Sequence, residues 1–254
     1  MNVKQQTAIQ VITERLKQDE AVQAVFMKGS FGRGEEDEHS DVDLYVMVQP
    51  DEEISFLSRR LEHLLAYRPI LLKDEIHIVA PQLIVVYDDF LHVDLFTVTK
   101  DSLSHQDSIH VLYDSAHLLS AHESSLQLDD VSTGEHAFDT IWFFFQYTKS
   151  RNRGNGIWAT EMLRQGMVHF AYVLAAHHTP DRASLGLKDV AQRQTIDLHS
   201  FYDQLTPASH EKAARMYIER LKEEQPFFAT LPGYDVFGPF MEQLIQRETS
   251  RPRV

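Results

Sequence analysis

Cysteine is absent from the 254-residue sequence. The chain therefore forms no disulfide, and it has no cysteine nucleophile, zinc ribbon or iron–sulfur ligand set. Long apolar runs are also missing. The longest, Phe170 to Ala176, is far shorter than the roughly 20 residues of a membrane-spanning helix. The first ten residues, MNVKQQTAIQ, lack the apolar core of a signal peptide. We therefore expect a cytoplasmic protein that does not enter a membrane.

Positive charge is scarce. The chain has 24 Lys and Arg against 38 Asp and Glu, which gives a formal net charge of −14. Such a surface repels a long polyanion, so the composition disfavours DNA or RNA as the main partner and suits a small or cationic one. With 43% hydrophobic and 24% charged residues, the sequence is typical of a folded globular protein.

The pattern of apolar residues changes along the chain. Up to about residue 120, strand-like alternation and helical spacing are mixed, whereas helical spacing dominates from Glu135. A stretch rich in Ser, Asp and Thr separates the two parts and predicts a linker. We predict an α+β (mixed α/β) protein with a mixed-sheet domain over 1–120, a linker over 121–134 and a helical bundle over 135–254. The predicted helices are 5–19, 51–67, 135–150, 157–178, 207–224 and 235–249, and the predicted strands are 22–27, 42–48, 76–79, 83–87 and 91–98.

The most informative stretch is Gly29-Ser30 followed by Asp41-Val42-Asp43. Glycine lets the backbone approach a ligand closely, and a helix starting at Ser30 would present free N–H groups to an anion such as a triphosphate. Asp41 and Asp43 are two apart on a predicted strand, so both carboxylates project from one face. A shared divalent cation removes their repulsion, and Mg²⁺ prefers carboxylates together with substrate phosphates.

A third carboxylate, Asp94, lies on a later predicted strand. Strands close in sequence usually lie side by side, which would bring Asp94 to the same face as the pair. It could then hold a second metal ion or accept a proton from an attacking hydroxyl. The nearby Asp88 and Asp89 belong to a Tyr-Asp-Asp-Phe turn, where we expect structural roles. A phosphate-binding turn with three acids is a set of groups suited to nucleotidyl transfer.

At Gly29-Ser30, Asp41-Val42-Asp43 and Asp94 the sequence resembles the nucleotidyltransferase superfamily that includes DNA polymerase β, and its wider context resembles the lincosamide and aminoglycoside nucleotidyltransferases. The resemblance implies a nucleotidyltransferase fold over 1–120 and a helical domain over 135–254 that helps to form the substrate cleft. It further implies two Mg²⁺ ions held by the three aspartates, and ATP or another nucleoside triphosphate seated at the Gly-Ser turn.

Three further residues are candidates for the same site. Arg33 either binds the triphosphate or pairs with the acidic loop Glu35–Glu38. Lys188 lies in a Lys-Asp-Val-Ala stretch similar to one in streptomycin-type adenylyltransferases, which implies a lysine near the phosphates; otherwise it is an ordinary exposed lysine. Glu161, near Arg153-Gly154 and Trp158, is similar to a helix that borders the cleft and is a candidate base or substrate ligand, with a surface glutamate as the alternative.

Other motifs are missing. No His-Glu-x-x-His spacing occurs among the 14 histidines, and the adjacent His177 and His178 are expected on different faces of one helix, so we expect no metalloprotease-type site. There is no Gly-x-x-x-x-Gly-Lys-Ser/Thr loop, and Gly29-x-x-Gly32-x-Gly34 does not match the dinucleotide fingerprint.

The expected reaction is transfer of AMP from ATP to a hydroxyl of a small molecule such as an aminoglycoside or lincosamide, with release of pyrophosphate. Two alternatives stay open. The same chemistry could act on a macromolecule, where a protein side chain is less disfavoured by charge than a tRNA end. The chain could instead be a non-catalytic nucleotide-binding or antitoxin-like module. A homodimer is compatible with the resemblance, because related enzymes close the cleft with a neighbouring subunit.

Overall fold

The chain divides into two units, Met1–Ser125 and Leu126–Val254, and the computed structural model describes residues 2–193 and 197–251. None of the helices within these described ranges combines the length and apolar character that crossing a membrane requires.

The first unit is a six-stranded sheet with three helices, which in chain order are α1 (Val3–Leu16), β1 (Val22–Met27), α2 (Gly29–Arg33), β2 (Val42–Val48), α3 (Glu53–Leu64), β3 (Ile70–His77), β4 (Pro81–Tyr87), β5 (His92–Val98) and β6 (His110–Asp114). The strand order is β3-β4-β5-β2-β1-β6. Within this sheet β2 and β5 are parallel, and the remaining neighbours are antiparallel. The sheet is thus mixed, as the sequence predicted.

The alternation of side chains along β2 determines which face of the sheet carries Asp43. Val42, Leu44, Val46 and Val48 are fully buried in an apolar cluster with α1 and α3. Burial of each such side chain contributes roughly 1.5–3 kcal/mol. Because successive side chains point to opposite faces, Asp43 and its alternate neighbours lie on the other face.

The second unit is helical, which confirms the predicted change of character. Its helices are α4 (Asp130–Asn152), α5 (Gly156–His178), α6 (Gly186–Arg193), α7 (Leu198–Asp203), α8 (His210–Phe228) and α9 (Tyr234–Thr249). Aromatic rings fill the core; Phe144 and Tyr217, both fully buried, stack with centroids 5.1 Å apart. The buried Tyr217 hydroxyl donates to the Thr140 carbonyl at 3.0 Å, so its polar atom is satisfied.

Some predicted elements were wrong or missed. The strand predicted at 76–79 runs instead from Ile70 to His77, and Ile78 and Val79 are exposed in the following turn. Since β3 is an edge strand with Leu71 and Leu72 both exposed, it lacks the alternation that marks a half-buried strand. The short β6 and the short helices α6 and α7 were not predicted, because each is shorter than the window of about 11 residues over which periodicity is assessed.

An ionic cluster joins the end of α1 to α3. Arg59 donates to both carboxylate oxygens of Asp19 at 2.8 Å, and His63 Nε2 lies 3.0 Å from Asp19 Oδ2. Hydrogen bonds from Arg59, opposed by burial, lower the pKa of Asp19 to about 2. The ionised carboxylate therefore favours the folded state.

We expect Asp19→Asn to lower the free energy of unfolding by about 2 kcal/mol at pH 7. Because the folded pKa lies below the unfolded value of about 3.9, this stabilisation is complete above about pH 5 and is lost as the pH falls towards 2, reaching about half at pH 3. Urea unfolding should be followed by circular dichroism, because both tryptophans lie in the second unit. The exposed Asp51→Asn is the control; an effect of Asp19→Asn that does not shrink in acid would contradict the prediction.

Candidate active site

Asp43 and Asp94 are direct neighbours across the sheet. In the parallel pairing of β2 with β5, Asp43 lies in register with Asp94. Adjacent strands are about 4.8 Å apart, and residues in register project from the same face, so the two carboxylates lie side by side. Asp94 is only 8% exposed and Asp43 is half-buried. The structure thus brings together two of the three predicted carboxylates through strand register alone.

His92 connects the third carboxylate to this pair. Its Nδ1 lies 3.1 Å from Asp41 Oδ1, and its Nε2 lies 3.0 Å from Asp94 Oδ1. The hydrogen bond to Asp94 is the largest influence that raises the pKa of His92 to about 9, although burial opposes it. A cationic ring therefore lies between Asp41 and Asp94. Sequence analysis missed this residue, although two-residue spacing on β5 places it on the same face as Asp94.

The Gly29 turn packs directly against Asp43. Gly29 has a φ of +62°, in the left-handed region that favours glycine, and a Cβ built at this position would overlap the Asp43 carboxylate. Ser30 follows in the first turn of α2. The first N–H groups of a helix have no partner within the helix. The predicted phosphate-binding turn and the acidic pair are therefore adjoining parts of one site.

Buried contacts hold the loop after β5 against this turn. Lys28, which precedes Gly29, donates from Nζ to the carbonyls of Ser104 and Gln106 at 2.6 and 2.9 Å. The same ammonium lies 5.2 Å from the centre of the Tyr45 ring, and burial lowers its pKa. Burial and the charge of Asp43 raise the pKa of Tyr45. Lys28 and Tyr45 therefore stabilise the contact between the Gly29 turn and the loop after β5.

Arg33 is engaged with acidic groups. Its Nε donates to Glu35 at 2.9 Å and its Nη1 donates to Asp107, and its side chain is 8% exposed. The salt bridge to the acidic loop is therefore present, and triphosphate binding by Arg33 stays a prediction that requires this arginine to exchange partners.

Lys188 and Glu161 belong to the second unit, on α6 and α5. Lys188 is exposed. Glu161 accepts hydrogen bonds from Arg164 at 2.7 and 2.9 Å and from Gln165 at 2.8 Å, and these contacts, Arg164 first, lower its pKa to about 2. A carboxylate with so low a pKa is a weak base. Both assignments stay predictions.

As carboxylates, Asp41, Asp43 and Asp94 are chemically suited to a hard divalent cation, but among the described residues they do not form a group whose three ligand atoms all lie within 4.8 Å of one another. Carboxylate oxygens are the protein ligands that Mg²⁺ prefers. The ring of His92 contacts both Asp41 and Asp94. The neighbouring acids are used differently. Asp88 pairs with Arg68 at 2.5 and 3.1 Å and Asp89 accepts from Tyr67, as the turn assignment predicted.

Residues 10–92 match the family model described as "Polymerase beta, Nucleotidyltransferase". The match confirms the predicted resemblance for the segment that contains the Gly29 turn, Asp41 and Asp43, and it ends two residues before Asp94. The matched segment spans about a third of the chain. A search of curated proteins gave no significant match.

Two solved structures match this chain over nearly its whole length. One is an aminoglycoside 6-adenyltransferase from Bacillus subtilis, at 10% identity over 99% of this chain and 100% of that one, with a TM-score of 0.37. Another is a nucleotidyltransferase-like protein from Exiguobacterium sibiricum, at 14% identity over 99% of this chain and 82% of that one, with a TM-score of 0.43. Likenesses of this strength do not establish a substrate, and the antibiotic-modifying branch stays a prediction.

The contact between Gly29 and Asp43 can be tested with two glycine variants. Gly29→Ala and Gly34→Ala introduce the same backbone strain, since their φ values are +62° and +67°, but a Cβ at Gly34 meets nothing within 4 Å. We expect Gly29→Ala to weaken Mn²⁺ binding about 10- to 100-fold by displacing a ligand, as loss of a supporting contact commonly does. Gly34→Ala should bind Mn²⁺ like the unaltered chain. Calorimetric titration measures both, and equal affinities would contradict the assignment.

Proposed function

We propose that this chain is a metal-dependent nucleotidyltransferase. The proposal proceeds from the match of residues 10–92 to a polymerase β-type nucleotidyltransferase. The chain transfers AMP from ATP, or the corresponding group from another nucleoside triphosphate, to a hydroxyl of a small molecule. The observation that carries the proposal is the register of Asp43 with Asp94 beside the Gly29 turn. In this proposal the aspartates supply metal ligands and the Gly29 turn binds phosphate, within one site.

Different groups of the chain have different roles in the proposed reaction. Backbone N–H groups and the hydroxyl at Gly29-Ser30 donate to phosphate oxygens and orient the triphosphate. Asp41, Asp43 and Asp94 would hold two Mg²⁺ ions, which would neutralise charge on the α-phosphate and the departing pyrophosphate. Asp94 either completes this ligand set or accepts the proton of the acceptor hydroxyl. The acceptor oxygen then bonds to the α-phosphorus as the bond to pyrophosphate breaks.

The charge balance supports a cationic acceptor. A net charge of −14 attracts polyamine-like molecules and repels nucleic acids. Aminoglycosides carry several amino groups and many hydroxyls, so they fit this balance better than uncharged acceptors, with lincosamides as the second class to test. The supply of ATP in the cytoplasm suits the expected location.

A pyrophosphate-release screen tests the acceptor and the donor together. The four nucleoside triphosphates are each combined with a panel of aminoglycosides and lincosamides in the presence of Mg²⁺. We expect release with at least one pair, ATP and an aminoglycoside first. Labelled AMP retained on a protein band would identify a protein acceptor instead. Tight binding of Mg²⁺–ATP without any release would support a non-catalytic module.

Asp43→Ala should abolish transfer while leaving the fold intact. Asp43 is half-buried and belongs to neither apolar cluster of the sheet, so the substitution removes a proposed metal ligand and little packing. We expect a loss of about 10³-fold or more in turnover, equivalent to roughly 4 kcal/mol of transition-state stabilisation. Asp88→Asn is the matched control, because it removes an aspartate charge that is paired with Arg68. Near-normal turnover of Asp43→Ala with intact circular dichroism would overturn the assignment.

A further inference from the structure

Three potential metal ligands converge in the second unit, where the end of α5 meets α8. Glu224 is 3% exposed, and its Oε2 lies 2.7 Å from His177 Nδ1 while its Oε1 lies 2.8 Å from His178 Nε2. One ligand atom from each of the three residues lies within 4.8 Å of the others. Two imidazoles and one carboxylate form a donor set typical of Zn²⁺ and related transition metals.

The helix end explains why two consecutive histidines reach one carboxylate. His178 is the last residue of α5, and Thr179 leaves the helix with φ −142° and ψ 59°. Glu224 contacts both imidazoles, whose ring centroids are 4.3 Å apart. His177 is fixed by stacking on Phe227 at 4.3 Å. The expectation that the adjacent histidines lie on different faces of α5 is therefore wrong, because both contact the same buried glutamate on α8.

Arg220 shows that this cluster accommodates a cation. Its Nη2 lies 2.7 Å from Glu224 Oε1 and 3.1 Å from His178 Nε2. His178 Nε2 cannot satisfy both neighbours: as a donor it opposes the guanidinium N–H, and as an acceptor it faces the carboxylate oxygen with a lone pair. Two lone-pair atoms pointing at one position are the arrangement that a metal ion resolves.

Arg220 also has another partner available. Its Nη1 donates to Glu223 Oε2 at 2.8 Å, at the exposed side of the cluster. Its Nε is buried and, within the described residues, has no hydrogen-bond partner. The guanidinium can thus swing towards Glu223 and leave the position between His178 and Glu224 to a metal ion.

We propose that His177, His178 and Glu224 bind one transition-metal ion, with Zn²⁺ as the reference ion, and that this ion fastens the end of α5 to α8. Ligand distances of about 2.0–2.2 Å require only small movements of the three side chains, and water completes the coordination. All three ligands belong to the second unit. Mg²⁺ does not compete for this site, because that ion prefers oxygen ligands in an octahedral arrangement.

The test is a calorimetric titration of the untagged, chelator-treated full chain with ZnCl₂ in excess MgCl₂. We expect one Zn²⁺ per chain whose affinity falls at least tenfold in His178→Ala and in Glu224→Gln. His199→Ala, which removes an exposed histidine of the same unit, should bind like the unaltered chain. Because His178 is partly exposed, His178→Ala keeps the test informative if Glu224→Gln fails to fold.

Arg220→Gln separates a metal site from a purely structural ion pair. If the guanidinium competes with the metal ion, its removal should tighten Zn²⁺ binding several-fold. Zn²⁺ should also raise the melting temperature of the unaltered chain but not that of His178→Ala, since a ligand that binds the folded state stabilises it. Absence of Zn²⁺ binding, or binding that His178→Ala leaves unchanged, would overturn the proposal.

Discussion

The repulsion between Asp43 and Asp94 is the constraint around which the first unit is built. Like charges directly opposite each other on neighbouring strands destabilise a sheet. Two unit charges 4 Å apart interact by about 1 kcal/mol in water and about 4 kcal/mol at the effective dielectric constant near a protein surface. The sheet keeps both acids in register despite this. His92 contacts Asp94 of this pair, and its hydrogen bond to Asp94, together with the charges of Asp94 and Asp41, raises its pKa to about 9 although burial opposes this.

Strand direction explains why the turn and the acids meet. β1 runs antiparallel to β2, so the end of β1 at Met27 adjoins the start of β2 at Leu44. β5 runs parallel to β2, so its start lies at the same edge of the sheet. The Gly29 turn, Asp43 and Asp94 therefore converge although 65 residues separate the first from the last. A fully antiparallel β2–β5 pairing would have placed Asp94 at the opposite edge.

Local pattern was enough to predict the parts of this site that depend on sequence neighbours. The structure has β1 and β2 at the predicted bounds, with Asp43 on β2 and Asp41 one residue before it. The contact of His92 with Asp41 depends on how β5 registers against β2, which no local pattern encodes. The same limit applies to His177 and His178: helical periodicity describes their own helix, whereas a buried glutamate 46 residues later on α8 decides what they contact.

In both units a basic side chain of the protein lies beside a buried carboxylate, but the metal-ligand atoms around it differ. In the first, an imidazolium lies between carboxylates; in the second, a guanidinium lies between a carboxylate and an imidazole. Oxygen donors favour Mg²⁺, whereas imidazole nitrogen favours Zn²⁺ and its neighbours. The donor atoms of the two proposed sites would therefore select different metals, and at the second site a metal ion would have to displace Arg220 from Glu224.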